Sequence, residues 1–203
     1  MRYATDHKDQ TRQQLLAVAA RALRRDGPHR LGVAAIMAEV GLTHGGFYAH
    51  FKSKEALIAA ALDEIFEERL RVFTARYEEL APRQGLAGYI DSYLSFAHCE
   101  KVENGCALPA LAADMPRLGT TVRKHFATGM ERLQRGVASF FLRDGSDEQE
   151  AMKHATALLA EMSGTIAMAR IVDSPAKAQD ILEQKRTELK TRLGLTDESC
   201  AAG

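Results

Sequence analysis

Apolar residues in this chain recur every three to four positions from Leu15 to Leu189, and no convincing alternating stretch interrupts them. That period belongs to amphipathic helices and argues against a sheet-based fold. Glycines, prolines and capping residues punctuate it. Leu15, Leu16, Ala19, Ala22 and Leu23 form one stripe, which Gly27 is placed to stop. Val33, Ile36, Met37 and Val40 form a second, ended by Gly41. Thr43 is placed to cap a third helix through Phe51, and Ser53 a fourth. The fourth carries Ile58, Leu62, Ile65, Phe66, Leu70, Phe73, Tyr77 and Leu80 on one face until Pro82 and Gly85 break it. A fifth is expected over 86–99 and a short sixth over 106–113. Pro116 opens a long seventh, closed by Asp144-Gly145. Asp147 and Glu150 make a capping-box pattern for an eighth, and Ser174-Pro175 starts a ninth that Gly194 ends. The expected fold class is all-α: a three-helix head over residues 1–53, then a larger helical body over 54–203 whose polar tail, 196–203, frays.

Composition narrows the function classes. Hydrophobic residues make up 46% of the chain, enough for a real core. No run approaches the roughly 18 apolar residues that a membrane helix needs, and the first residues turn polar at once, so a cytoplasmic protein with no membrane contact is expected. Three cysteines, Cys99, Cys106 and Cys200, are too few and odd in number for a disulfide framework. The formal net charge is zero but unevenly spread: residues 1–55 hold nine basic side chains against five acidic ones. A basic head on an acidic body points to a polyanion partner for the head. No His-Glu-x-x-His, phosphate loop, dinucleotide glycine pattern or Gly-x-Ser-x-Gly is present, so an enzyme is not expected, and neither is a cofactor. His98, Cys99 and Cys106 lack a clear metal-ligand spacing, so no metal site is expected.

Residues 33–51 read as helix, tight turn, helix. Gly41 suits a left-handed turn, Leu42 an apolar plug, and Thr43 a cap. In the third helix Phe47 and Phe51 stand four apart and face inward, which leaves His44, Gly45, Tyr48 and part of Gly46 outward. Two adjacent glycines cost a helix about 1 kcal/mol each relative to Ala, a pairing that makes sense where a backbone must come close to a partner. Tyr48, His50 and Lys54 are within reach of phosphates.

The run Gly41-Leu42-Thr43-His44-Gly45-Gly46-Phe47-Tyr48-Ala49-His50-Phe51-Lys52-Ser53-Lys54-Glu55-Ala56-Leu57 resembles the recognition-helix signature of the TetR family. The likeness covers residues of roughly 8–65; beyond them the chain resembles the family in helix count and order. The resemblance implies a helix-turn-helix regulator of transcription, a homodimer on double-stranded operator DNA, in most cases a repressor released by a small-molecule inducer. It assigns phosphate contacts to Tyr48, His50 and Lys54, and base reading or backbone approach to Thr43, His44, Gly45 and Gly46. The second helix opens Gly32-Val33-Ala34-Ala35, without the family's usual Thr or Ser cap, so sequence readout is expected from the third helix. An activator of the same fold, or a helical ligand-binding module with no DNA role, are the alternatives.

The resemblance also makes the body the dimerisation and sensor domain. Leu158, Met162, Ile166, Ile181 and Leu189 are candidates for the dimer interface or for the core of one chain. Phe66, Phe96, Phe126, Met130 and Met162 are candidates to line an inducer cavity, or plain core. One branch of the family resembles the segment Asn104-Gly105-Cys106-Ala107-Leu108-Pro109, and some of its members sense electrophiles or oxidants through the cysteine. Cys106 is therefore the candidate sensor, a small packing residue being the other reading. Cys99 is expected in the core and Cys200 in the tail.

Overall fold

The helical periodicity is realised throughout. The structure, a computed structural model, describes residues 2–195, with side chains from Lys8 onward. Cys200 and the tail 196–203 lie outside the described residues. The α-helices are α1 Arg2–Arg30, α2 Val33–Glu39, α3 Lys54–Tyr77, α4 Pro82–Tyr93, α5 Phe96–Glu100, α6 Ala107–Leu111, α7 Thr120–Arg143, α8 Glu148–Ala169 and α9 Pro175–Arg192. A 3-10 segment, His44–Ala49, lies between α2 and α3. Among the described residues there is no strand, and no helix is long and apolar enough to cross a membrane.

The chain divides into two compact units. One takes residues up to Glu68 together with Cys106–Gly129; the other takes Arg69–Gly105 together with the residues from Met130 onward. The head expected over 1–53 lies inside the first unit, which also includes the start of α3, all of α6 and the start of α7.

In the first unit α1 packs on α2 and α6. Leu15, Ala19 and Leu23 of α1, Ile36 and Met37 of α2, and Leu57 and Leu62 of α3 are buried. Each such large side chain contributes about 1.5–3 kcal/mol by leaving water. α1 breaks where its glycine stands: Gly27 has φ 77, and Pro28 follows. A β-carbon at Gly27 would stand 3.5 Å from the Asp114 carboxylate, an ordinary contact, so the left-handed backbone rather than crowding calls for glycine here. Arg24, only 5% exposed, pairs with Glu68 at 3.5 Å, so its buried charge is matched.

In the second unit α9 packs on α8, α4 and α5. The Phe73 ring meets those of Tyr89 and Phe140, with centroids 5.3 and 5.2 Å away. Gly85 does not break a helix; it lies inside α4, because the Phe140 ring occupies the space its side chain would need, 2.6 Å away. Pro82 starts α4 rather than only ending the helix before it.

Several helix ends differ from expectation. The fifth helix is two, α4 and α5, because the Ser95 hydroxyl accepts the His98 amide at 3.2 Å and starts a new turn. Pro116 sits in a 3-10 turn, Met115–Arg117, and α7 begins at Thr120. Ser174 makes no side-chain cap, whereas Asp147 accepts the Glu150 amide at 2.9 Å and Ser53 that of Ala56 at 3.1 Å. The dimer candidates, open between interface and core, are packed within one chain. Leu158, Met162, Ile166 and Leu189 are 0–3% exposed within a single chain, so their apolar surface is already consumed by the α8–α9 core. Ile181 alone among the five keeps part of its surface.

Candidate nucleic-acid interface

The turn after α2 closes as a Schellman motif. Gly41 takes φ 73, its amide donates to the Ala38 carbonyl at 3.0 Å, and the Leu42 amide reaches the Met37 carbonyl at 2.9 Å. A side chain at Gly41 would be strained in that conformation. The next segment is not an α-helix: His44–Ala49 is 3-10. Two glycines and a length of six residues favour the tighter winding, which is used in short pieces. Thr43 does not cap it through its hydroxyl; its carbonyl accepts the Gly46 amide at 3.0 Å.

The inside and outside of this segment follow the expected split. Phe47 and Phe51 are buried, 3% and 4% exposed, with rings 5.8 Å apart. Tyr48 is 68% exposed and meets the edge of Phe47 at 5.3 Å, which holds its ring without burying it. Thr43, His44 and Gly45 are exposed. Gly46 is half-buried, and a β-carbon there would stand 3.5 Å from the Met37 methyl, while Gly45 has open space where a side chain would stand. The unit thus presents one polar, partly backbone surface from Thr43 to Tyr48.

His50 and Lys54 flank that surface. Lys54 is half-buried and its ammonium donates to the His29 carbonyl at 3.4 Å. His50 is half-buried too, and its Nδ1 is buried with no hydrogen-bond partner among the described residues. Burial, then the cations Lys8 and Arg12, push its pKa below the ordinary value. A neutral imidazole offers an N–H donor to a phosphate rather than a charge.

One residue here was invisible in the sequence. The Arg12 guanidinium lies 4.3 Å from the centre of the Phe51 ring and donates to the His50 carbonyl at 2.7 Å. It ties α1 to the end of the 3-10 segment across 38 positions of sequence. No local period reports a pairing at that distance.

The sensor candidates separate between the two units. Cys106, Phe66 and Phe126 belong to the first, and Phe96, Met130 and Met162 to the second. Cys106 stands at the N-cap of α6 and is 1% exposed. Phe66 and Phe126 are buried edge to face at 5.4 Å. Met162 is fully buried. Phe96 lines a cleft of about 410 Å³ in the second unit, a cleft that Met130 and Met162 do not line. Cys99 is buried, as expected, and lines the same cleft; burial raises its thiol pKa against the opposing pull of Arg170. Among the described residues no three His, Cys, Asp or Glu side chains form a metal site.

Comparison with known proteins adds to this geometry. The profile of the bacterial regulatory proteins of the tetR family matches residues 15–61. A second, described as the C-terminal domain of LmrA/YxaF-like transcriptional regulators, matches residues 82–184. The HTH-type transcriptional regulator TtgR of Pseudomonas putida is 34% identical over 67 residues. That match spans 33% of this chain and 32% of TtgR, about a third of each. Among solved structures, Escherichia coli NemR in its reduced form superposes with a TM-score of 0.76 at 22% identity, covering 90% of this chain and 96% of NemR. A TetR transcriptional regulator from Chloroflexus aurantiacus gives 0.75 at 22% identity, covering 91% and 96%.

Proposed function

The chain belongs to the TetR family of bacterial regulatory proteins, and from that premise we propose that it is a homodimeric repressor that binds a specific operator in double-stranded DNA and is released by a small molecule or by modification of a cysteine. The observation that carries the DNA reading is the exposed surface from Thr43 to Tyr48 standing on the buried pair Phe47 and Phe51. Such a segment enters the major groove as a rigid ridge, because its inner side chains are locked in the core.

Tyr48, with its ring exposed, donates its hydroxyl to a phosphate. Neutral His50 donates an N–H, and Lys54 supplies a charge once it leaves the His29 carbonyl. Thr43, His44 and the backbone at Gly45 and Gly46 face the base edges. In the dimer, two such segments address successive major grooves of a near-palindromic site.

The second copy covers the outer face of α8. Ala157, Ala160 and Gly164 form an exposed small-residue line that ends in Met168 and Ile171, 62% and 82% exposed. Small side chains let two helices approach closely, and the two large ones gain most by burial. Ile181 of α9, half-exposed, adds to this face.

Release follows from lowering the population of the DNA-competent state. α3 and α7 each begin in the first unit and end in the second, so both carry a ligand-driven shift along their axes. NemR was solved in a form described as reduced, which favours a thiol route in this chain as well. Cys106 is 1% exposed, so its modification requires that the start of α6 first opens.

Fluorescence anisotropy with the DNA flanking the gene tests the reading. Tight binding that weakens steeply with salt, and is lost in Tyr48→Ala without loss of folding, is the expected result. Salt-independent binding, or full binding by Tyr48→Ala together with His44→Ala, refutes it. Cys106→Ser separates the release routes, since it abolishes electrophile-driven release only if the thiol is the switch.

A further inference from the structure

Two adjoining clefts open on the second unit between α5 and the first half of α9, with volumes of about 410 and 390 Å³. Both lie in the size range of small-molecule sites. They share the ring of Phe96 as a common wall. The lining includes Val102, Val172 and Ala178 in one, and Leu94 and Leu182 in the other. Apolar lining of this kind pays for the burial of an organic molecule but does not choose its charge.

Charge is chosen by the polar groups around it. Glu100 and Asp173 line the first cleft, Asp180 and Glu183 the second. Two arginines line them as well, and both are committed elsewhere. Arg170 donates through Nε to the Cys99 carbonyl at 2.9 Å and through Nη2 to the His98 carbonyl at 3.2 Å. Arg186 is paired with Glu183, and with Asp91 at 3.8 Å. Asp173 is matched by Lys177 at 3.2 Å. Glu100 and Asp180 have no ion pair among the described residues. An anion entering here meets four carboxylates against two guanidinium groups, of which Arg186 is matched by carboxylates and Arg170 is held by two carbonyls.

The geometry points to a binding site for a lipophilic organic cation, held with its apolar groups in the two clefts and its charge against the face of Phe96 and the carboxylates of Glu100 and Asp180. The aromatic face attracts a cation through its quadrupole. The carboxylates are exposed, so their pull is moderate and sensitive to salt. The site is built from the second unit alone and stands whether or not the chain binds DNA.

The test uses two ions of nearly the same size and shape and opposite charge. The full chain is titrated calorimetrically with tetraphenylphosphonium and, separately, with tetraphenylborate. The cation binds at least about tenfold more tightly than the anion at low salt, and the gap narrows at about 0.5 M salt, where the screening length is a few ångströms. Glu100→Gln with Asp180→Asn weakens the cation about tenfold and leaves the anion no weaker, as expected for two exposed charges at close range. Phe96→Leu, which keeps an apolar wall but removes the ring, weakens the cation by about threefold or more. Glu148→Gln, at the far end of α8, changes neither. Equal affinity for the two ions, an unaltered cation affinity in the double variant, or no cation binding up to about 1 mM overturns the proposal.

Discussion

Arg12→Ala tests how the segment proposed to face DNA is held. The guanidinium makes a charge-assisted bond to the His50 carbonyl at 2.7 Å and covers the Phe51 ring at 4.3 Å. A hydrogen bond to a charged group contributes about 1.5–3 kcal/mol, and a cation over an aromatic face about 0.5–2 kcal/mol. Arg12 is half-buried, so solvent takes over part of both interactions when it is removed. A net loss of about 2 kcal/mol is expected, close to a thirtyfold change in an equilibrium constant. The loss falls on the end of the 3-10 segment, beside Tyr48. Urea denaturation at fixed protein concentration reads the stability, and operator anisotropy across a salt series reads the function.

Arg12→Lys separates positioning from contact. A lysine keeps the charge but has neither the planar fork nor the stack. If Arg12 positions the segment, Lys is nearly as damaging as Ala to stability, and the salt slope of DNA binding stays unchanged in Arg12→Lys. If Arg12 instead contacts a phosphate, Ala lowers the slope by about 0.9 per subunit, about 1.8 for the dimer, and Lys restores it. A stability change below about 0.5 kcal/mol in Arg12→Ala, within the range of ordinary surface substitutions, refutes the clasp.

Three further outcomes are expected. His98 is half-buried, and its loss of solvent outweighs its bond to the Tyr93 carbonyl to lower its pKa to about 4, while Arg69 and Arg170 add to the lowering. The unfolded chain therefore takes up a proton more readily, so stability is full above about pH 6.5 and falls by up to about 3 kcal/mol as pH drops towards 4. His98→Gln flattens that part of the urea-midpoint profile, and an unchanged profile excludes the assignment. Gly85→Ala drives a methyl against the Phe140 ring and lowers stability by about 1–3 kcal/mol despite the better helix propensity of alanine; a raised Tm contradicts it. Ile171→Glu leaves the folded chain intact but shifts sedimentation towards the monomer, and a dimer of unchanged Kd removes the outer face of α8 from the interface.

The reading of the head from sequence succeeded where the information was local. Gly41 closes a turn because only glycine holds φ 73 without strain, and the residues that satisfy its neighbours lie within five positions. Phe47 and Phe51 point inward and Tyr48 outward because helical winding separates them by angle alone. The winding differs from the expected α-helix: a glycine pair in a six-residue segment tips the balance from α to 3-10, and helix propensity summed over longer windows does not register it.

The helical class, the stops at Gly27 and Gly41, and the division of residues 43–51 into buried and exposed faces are legible in the chain, because each rests on contacts within a few residues. Which apolar stripe meets which is set by long-range packing. Leu158, Met162, Ile166 and Leu189 have the period of an interface and are core of one chain, while the outer face of α8 is a line of alanines and a glycine that no hydrophobic pattern marks. The clasp of Arg12, the burial of Cys106 and the partial desolvation of His98 likewise depend on partners far along the chain or on the closeness of packing. Periodicity specifies the direction in which a side chain leaves its helix; the element waiting there is chosen by the free energy of the whole packed chain.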